Sequence, residues 1–127
     1  MRRKLIIVFA TLLVLTVLSA AEQILVRRMT DEALRHTREI LSYIREERFD
    51  DALQLSQDMD LEWDRNAKVL ETMVDHGSTD DVRYAFSRLI AALEEQDSAT
   101  AMVYAGELEG AIEHVFERQA VTLENIL

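Results

Sequence analysis

The stretch LIIVFATLLVLTVLSAA, Leu5–Ala21, holds seventeen residues without a charge. Arg2, Arg3 and Lys4 precede it, and Glu22 ends it. As a helix, seventeen residues span about 25 Å, against about 30 Å of bilayer hydrocarbon. The run is therefore at the short end for a transmembrane helix. Ile24, Leu25 and Val26 can extend it past Glu22 and Gln23, whose side chains can snorkel to the interface. The residues assigned to lipid contact are Leu5, Ile6, Ile7, Val8, Phe9, Leu12, Leu13, Val14, Leu15, Val17 and Leu18. The basic trio Arg2, Arg3 and Lys4 predicts a cytoplasmic N-terminus, with everything beyond the run extracytoplasmic.

A cleaved secretory signal is the rival reading. It has the same basic head and apolar run, and Ser19 and Ala21 fit the small-x-small cleavage pattern. Cleavage there would release a secreted domain that begins at Glu22. The apolar run is longer than a usual signal core, which favours a retained anchor. Residues 1–21 are thus read as head and membrane anchor, and residues 22–127 as an exported helical bundle.

The rest of the chain is acidic. From Met29 to Leu127 there are nine Lys or Arg against twenty-three Asp or Glu, a net charge of −14. Such a surface repels nucleic acid and anionic headgroups. With no proline and three glycines in 127 residues, turn formers are too few for a β-rich fold. The absence of cysteine excludes disulfides, thiolate metal sites and a cysteine nucleophile.

Apolar periodicity predicts four helices. The first continues from the anchor without a breaker to about Glu47, with the stripe Met29, Ala33, Thr37, Ile40, Leu41 and Ile44. The second runs from about Phe49, behind Asp50 and Asp51, which suit a helix N-terminus. Its stripe is Phe49, Leu53, Met59, Trp63, Ala67, Leu70 and Val74, and His76-Gly77 is expected to end it. Ser78 to Asp81 reads as a capping-box variant opening the third helix, whose core positions are Val82, Phe86, Leu89 and Leu93. The fourth, about Ala99 to Gln119, carries the seam Ala101, Ala105, Leu108, Ile112, Val115 and Gln119, widened by Phe116. Gly106 and Gly110 suggest close helix approach or local flexibility. The apolar tail Val121–Leu127 is expected to dock on the bundle. The fold class is all-α: an N-terminal transmembrane helix followed by an antiparallel bundle of about four helices. Two stacked repeat-type hairpins are the secondary reading, since no self-similarity at a fixed period stands out.

These features, with Glu62-Trp63, Asp75-His76, Ser87-Arg88-Leu89, Ile112-Glu113-His114-Val115 and the terminal Leu123-Glu124-Asn125-Ile126-Leu127, make the chain resemble a bacterial family known as domain of unknown function 4363. The resemblance covers nearly the whole length. It implies a membrane-anchored helical domain and supplies no activity, cofactor or catalytic residue.

Motifs for chemistry are few. His36, His76 and His114 lie far apart, and none has the HExxH or ExxH spacing of helical metal sites. The acidic corners Glu46–Asp51 and Glu94–Asp97 lack the EF-hand spacing and its glycine, and read as solvated surface. No serine has a GxSxG or SxxK setting. Trp63 reads as a core residue. Arg88 adjoins the core position Leu89 and could pair with Glu107 or Glu113 as a structural polar group. No catalytic residue, metal ligand or cofactor is expected, and the chain is read as a non-enzyme. The leading functional reading is a membrane-anchored extracytoplasmic interaction or structural module. Its partners would be the lipid bilayer, through the N-terminal helix, and another membrane or envelope protein. The alternative is a subunit that senses a small ligand or divalent cation.

Overall fold

The computed structural model describes residues 1–72 and 76–126, with side chains placed for 1–72 and 77–117. Four helices follow one another: α1 (Arg2–Arg45), α2 (Phe49–Leu70), α3 (His76–Glu94) and α4 (Ser98–Ile126). Each packs on two neighbours in the cycle α1–α2–α3–α4–α1. Short connections make sequential helices antiparallel, so the bundle is the up-down-up-down type. No strand occurs among the described residues.

Helix α1 has two environments along one continuous 44-residue rod. Its first half is exposed on every face, with Leu5, Ile6, Phe9 and Leu13 at 55% accessibility or more. It is long and apolar enough to cross a membrane. Thr11 and Thr16 interrupt the apolar run, but each hydroxyl donates to the carbonyl one turn back, at 2.8 Å. Neither is left unsatisfied, as a lipid environment requires. The second half enters the bundle at Val26, and Val26, Thr30, Thr37, Ile40 and Ile44 are buried. This seam starts one turn earlier than the stripe beginning at Met29. The buried hydroxyls of Thr30, Thr37 and Ser56 likewise donate to carbonyls four residues back.

The core is one cluster drawn from all four helices, with Phe86, Ile40, Ile44, Leu70, Leu89, Leu93, Leu108 and Ile112 fully enclosed. In α2 the buried seam is Ala52, Ser56, Met59, Trp63, Ala67 and Leu70. Phe49 and Leu53 lie half-buried beside it, while the small residues Ala52 and Ser56 are fully buried. The α4 seam is as expected from Ala101 through Val115. Val74, the side chain of Gln119 and the docking of the tail lie outside the described side chains.

Three local expectations are corrected. Helix α2 ends at Leu70 rather than near His76, and the Thr72 hydroxyl donates to the Val69 carbonyl at 2.6 Å. His76 belongs to α3, Gly77 lies inside its first turn, and no described glycine has a positive φ. Ser78 therefore does not cap α3: its hydroxyl is buried without a hydrogen-bond partner. Gly106 and Gly110 are exposed, and a Cβ at either would meet nothing within 4 Å. They mediate no close helix contact.

The two distal corners share one construction. After α1, the amides of Glu46, Glu47 and Arg48 donate to the carbonyls of Ser42, Ile44 and Tyr43. After α3, the amides of Glu95, Gln96 and Asp97 donate to Ala91, Leu93 and Ala92. Both sets run four, three and five residues back, the Schellman pattern. The bundle is thus two similar helical hairpins closed on each other, and the hairpin reading is realised at the level of corners rather than as a solenoid.

Candidate functional site

The described surface offers three polar constellations, a groove between α1 and α4 and a cleft between α1 and α2. The first is the expected polar pair. Arg88 on α3 lies 3.5 Å from Glu107 on α4, both about half exposed. Its guanidinium also sits 5.9 Å from the centre of the Tyr104 ring. Glu113 takes no part. It lines a separate groove between α1 and α4 with Thr30, Asp31, Leu34, Phe116 and Glu117. The three residues do not form one polar pocket, because Glu107 and Glu113 are six apart on α4 and face different neighbours.

Sequence reading passed over Arg83, which is better connected. Its Nε is 3.2 Å from Asp64, and its terminal nitrogens are 3.6 Å from Glu71 and 3.7 Å from Asp80. The Nε–Asp64 approach is off line for a hydrogen bond, so it is an electrostatic contact. Thr79 donates to Glu71 at 3.3 Å. This network ties α2 to α3. Asp60 lies nearby; its carboxyl is held above the ordinary range by burial and by Asp64, with Arg83 opposing. The one signal in the sequence was Asp80 three residues before Arg83, a spacing that pairs on any helix.

At the distal end Arg48 donates to Asp51 at 2.8 Å and lies 4.6 Å from the Tyr43 ring. In the matching corner, Asp97 accepts from the Thr100 amide at 3.1 Å and from its hydroxyl at 2.7 Å. The Thr100 hydroxyl, then the Thr100 amide, hold the Asp97 carboxyl below its ordinary range. Asp97 thus caps the start of α4, whereas Arg48 makes no side-chain cap to α2 and only pairs with Asp51.

The cleft lies between α1 and α2. Met29, Ala33 and His36 come from α1, at helical spacings of four and three. Met59, Trp63 and Asn66 come from α2 at the same spacings, and Phe86 of α3 also lines it. Glu32 and Glu62 complete the lining and are exposed. Trp63 is 4% accessible, and its Nε1–H has no hydrogen-bond partner. The Nδ1 of His36 is also shielded and unpartnered; it lies 3.6 Å from Glu39, while Nε2 lies 3.9 Å from Glu32. His114 is exposed on α4, and the side chain of His76 lies outside the described set. Among the described residues no three His, Asp or Glu side chains are grouped to hold a metal ion.

Neither the curated proteins nor the solved structures gave a match to this chain. A family model described as "Domain of unknown function (DUF4363)" matches residues 22–126. That match takes in the lower part of α1, all of α2 and α3 and α4 to its end, beginning where the uncharged run stops. The chain belongs to the DUF4363 family, and its matched part is the helical bundle rather than the apolar stretch before it.

Proposed function

We propose that this protein is a single-pass membrane protein that holds an acidic helical bundle outside the membrane and acts by binding another membrane or envelope protein, without catalysis. The observation that carries the reading is helix α1. One unbroken helix has an apolar half with no protein contact and a second half whose Val26, Thr30, Thr37, Ile40 and Ile44 are core residues.

The physical consequence is a rigid coupling. A helix has no soft joint between turns, so the angle of the anchor becomes the angle of the bundle. Val26 is fully buried among protein side chains, which supports a span that ends before it. Leu5–Leu25 then measures about 31 Å, which matches the hydrocarbon thickness. Arg2, Arg3 and Lys4 on one side support a cytoplasmic N-terminus.

The chain has no cysteine, so single cysteines report topology cleanly. A membrane-impermeant maleimide applied to intact cells is expected to label Ser87→Cys and to spare Lys4→Cys until the membrane is permeabilised. Labelling of Lys4→Cys alone in intact cells would reverse the orientation. Recovery of Ser87→Cys from the medium, with Glu22 as its first residue, would replace the anchor with a cleaved signal.

A further inference from the structure

The bundle closes around α1 with no stalk between it and the apolar half. Ile24 is 61% accessible, Leu25 37% and Val26 0%. The change from free to enclosed helix thus takes two residues, about 3 Å along the axis. Two other helices reach the same level. In the cleft, Met29, Ala33 and His36 of α1 run in the opposite order to Asn66, Trp63 and Met59 of α2. One turn further, that antiparallel register sets Val69 beside Val26. On the α4 side, the Arg27 guanidinium lies 5.9 Å from the centre of the Phe116 ring. The near end of the bundle therefore holds Arg27 and Arg28 of α1 and, in the last turn of α2, Lys68 and Val69.

A bilayer with about 30 Å of hydrocarbon is about 40–45 Å thick with its headgroups, which leaves about 5–7 Å of headgroup on each face. With hydrocarbon ending at Leu25, that layer covers about four residues of α1, Val26 to Met29. Packed helices lie about 8–10 Å apart, so an anchor tilt of about 20° moves α2 by only about 3 Å. The last turn of α2 stays at the headgroup layer.

Its residues suit that place. Val69 is apolar yet exposed, and Arg28 and Lys68 are exposed as well. Long basic side chains lay their stems on apolar surface and reach outward with their charged heads. Against them stand Glu117, exposed on α4, and Glu71, which accepts from Thr79 and lies 3.6 Å from Arg83. The acidic corners Glu46–Asp51 and Glu94–Asp97 lie at the far end. From Val26 to Glu46 the helix rises about 30 Å, several times the Debye length of about 8 Å. Their repulsion is screened before it reaches the membrane.

We infer that the near end of the bundle is a lipid-headgroup surface, on which Arg28 and Lys68 hold phosphates of the outer leaflet and Val69 meets the top of the hydrocarbon. This rests on the single-pass reading above and adds that the bundle is seated on the bilayer rather than held away from it. Contacts on α2, off the α1 axis, then fix the tilt of the rod, which the length of one helix does not.

The experiment uses the full-length chain in vesicles of phosphatidylcholine and phosphatidylglycerol. The chain has no cysteine, so a bimane fluorophore is attached at Val69→Cys, Val103→Cys or Leu13→Cys, all exposed positions. Quenching is read from phosphatidylcholine that carries a nitroxide on its headgroup or midway along its acyl chain. The expected result is headgroup quenching at Val69→Cys at least threefold above that at Val103→Cys, with acyl-chain quenching at Leu13→Cys. Adding Arg28→Glu with Lys68→Glu is expected to cut the Val69→Cys signal at least twofold while Leu13→Cys stays quenched. Quenching at Leu13→Cys without quenching at Val69→Cys would overturn the seat and keep the anchor. Equal headgroup quenching at Val69→Cys and Val103→Cys would also overturn it, because the bundle would then lie on its side. No quenching at Leu13→Cys would overturn the anchor and the seat together. A Val69→Cys signal indifferent to the charge reversals would overturn the phosphate contacts.

Discussion

Glu47 and Gln96 hold the same place in two equivalent helical corners. Each is left-handed, with φ of 57° and 56°, and each donates its amide to a carbonyl three residues back. Left-handed backbone is disfavoured for residues with a Cβ, and most helix ends of this kind use glycine. Here the strain is accepted twice, forty-nine positions apart. Burial follows the same offset: Thr37, Ile40, Ile44, Ala52, Ser56, Met59 and Trp63 match Phe86, Leu89, Leu93, Ala101, Ala105, Leu108 and Ile112. Glycine would relieve about 1–2 kcal/mol of left-handed strain and lose about 0.5–1 kcal/mol in chain entropy, so Glu47→Gly and Gln96→Gly should each raise stability, read from denaturant unfolding of the detergent-solubilised chain. A loss in either would show that the native side chain makes a contact worth more than the backbone strain.

Gly106 and Gly110 test the opposite use of glycine. Both lie inside a regular helix, exposed, with open space where a Cβ would go. Gly106→Ala and Gly110→Ala should each stabilise by about 0.8–1 kcal/mol. Destabilisation in the same unfolding assay would restore the close-packing role that their spacing suggests.

Asp97 gives a pH dependence with a defined sign. Hydrogen bonds from Thr100 depress its carboxyl pKa in the folded chain. A depressed carboxylate adds stability above its unfolded pKa and loses it as pH falls through the folded one. Asp97→Ala should therefore melt below the parent chain at pH 7, and the gap should close as the pH is taken below the ordinary carboxylate range near 4. A gap independent of pH would mean that the capping hydrogen bonds carry no charge-dependent stability.

Core and surface should separate sharply on α3. Phe86 is fully enclosed, so Phe86→Ala should cost about 3–5 kcal/mol. Arg88 and Glu107 are each about half exposed, and truncating such a surface pair typically costs about 0.2–1 kcal/mol. A larger loss on Arg88→Ala, measured by the same unfolding midpoint, would mean that its ring contact with Tyr104 matters more than the ion pair.

Much of the architecture was legible from local pattern. Periodicity placed four helices and nearly the whole core, because burying one apolar stripe per helix is the constraint that selects a bundle. The α2–α3 boundary was misread: His76, Gly77 and Ser78 form a plausible cap on local rules, and local rules do not see that Ser78 is buried in the bundle. The Arg88–Glu107 pair was legible, but Glu113 lies apart from it and the larger Arg83 network was passed over for a similar reason. Arg88 and Arg83 look equivalent in the sequence, and only the packing of α2 against α3 adds Asp64 and Glu71 to Arg83's local partner Asp80.

The sequence by itself determined the division of this protein: an uncharged run that can leave water, an unbroken helix out of it, and acidic amphipathic helices after it. Hydrophobicity and helical period are properties of neighbouring residues, so they can be read without a partner. Tertiary structure alone decided that Met29 and His36 of α1 face Met59 and Trp63 of α2, leaving an indole donor in a cleft without an acceptor. Whether a buried polar atom is satisfied depends on the helix packed opposite it, and that is information no local pattern contains.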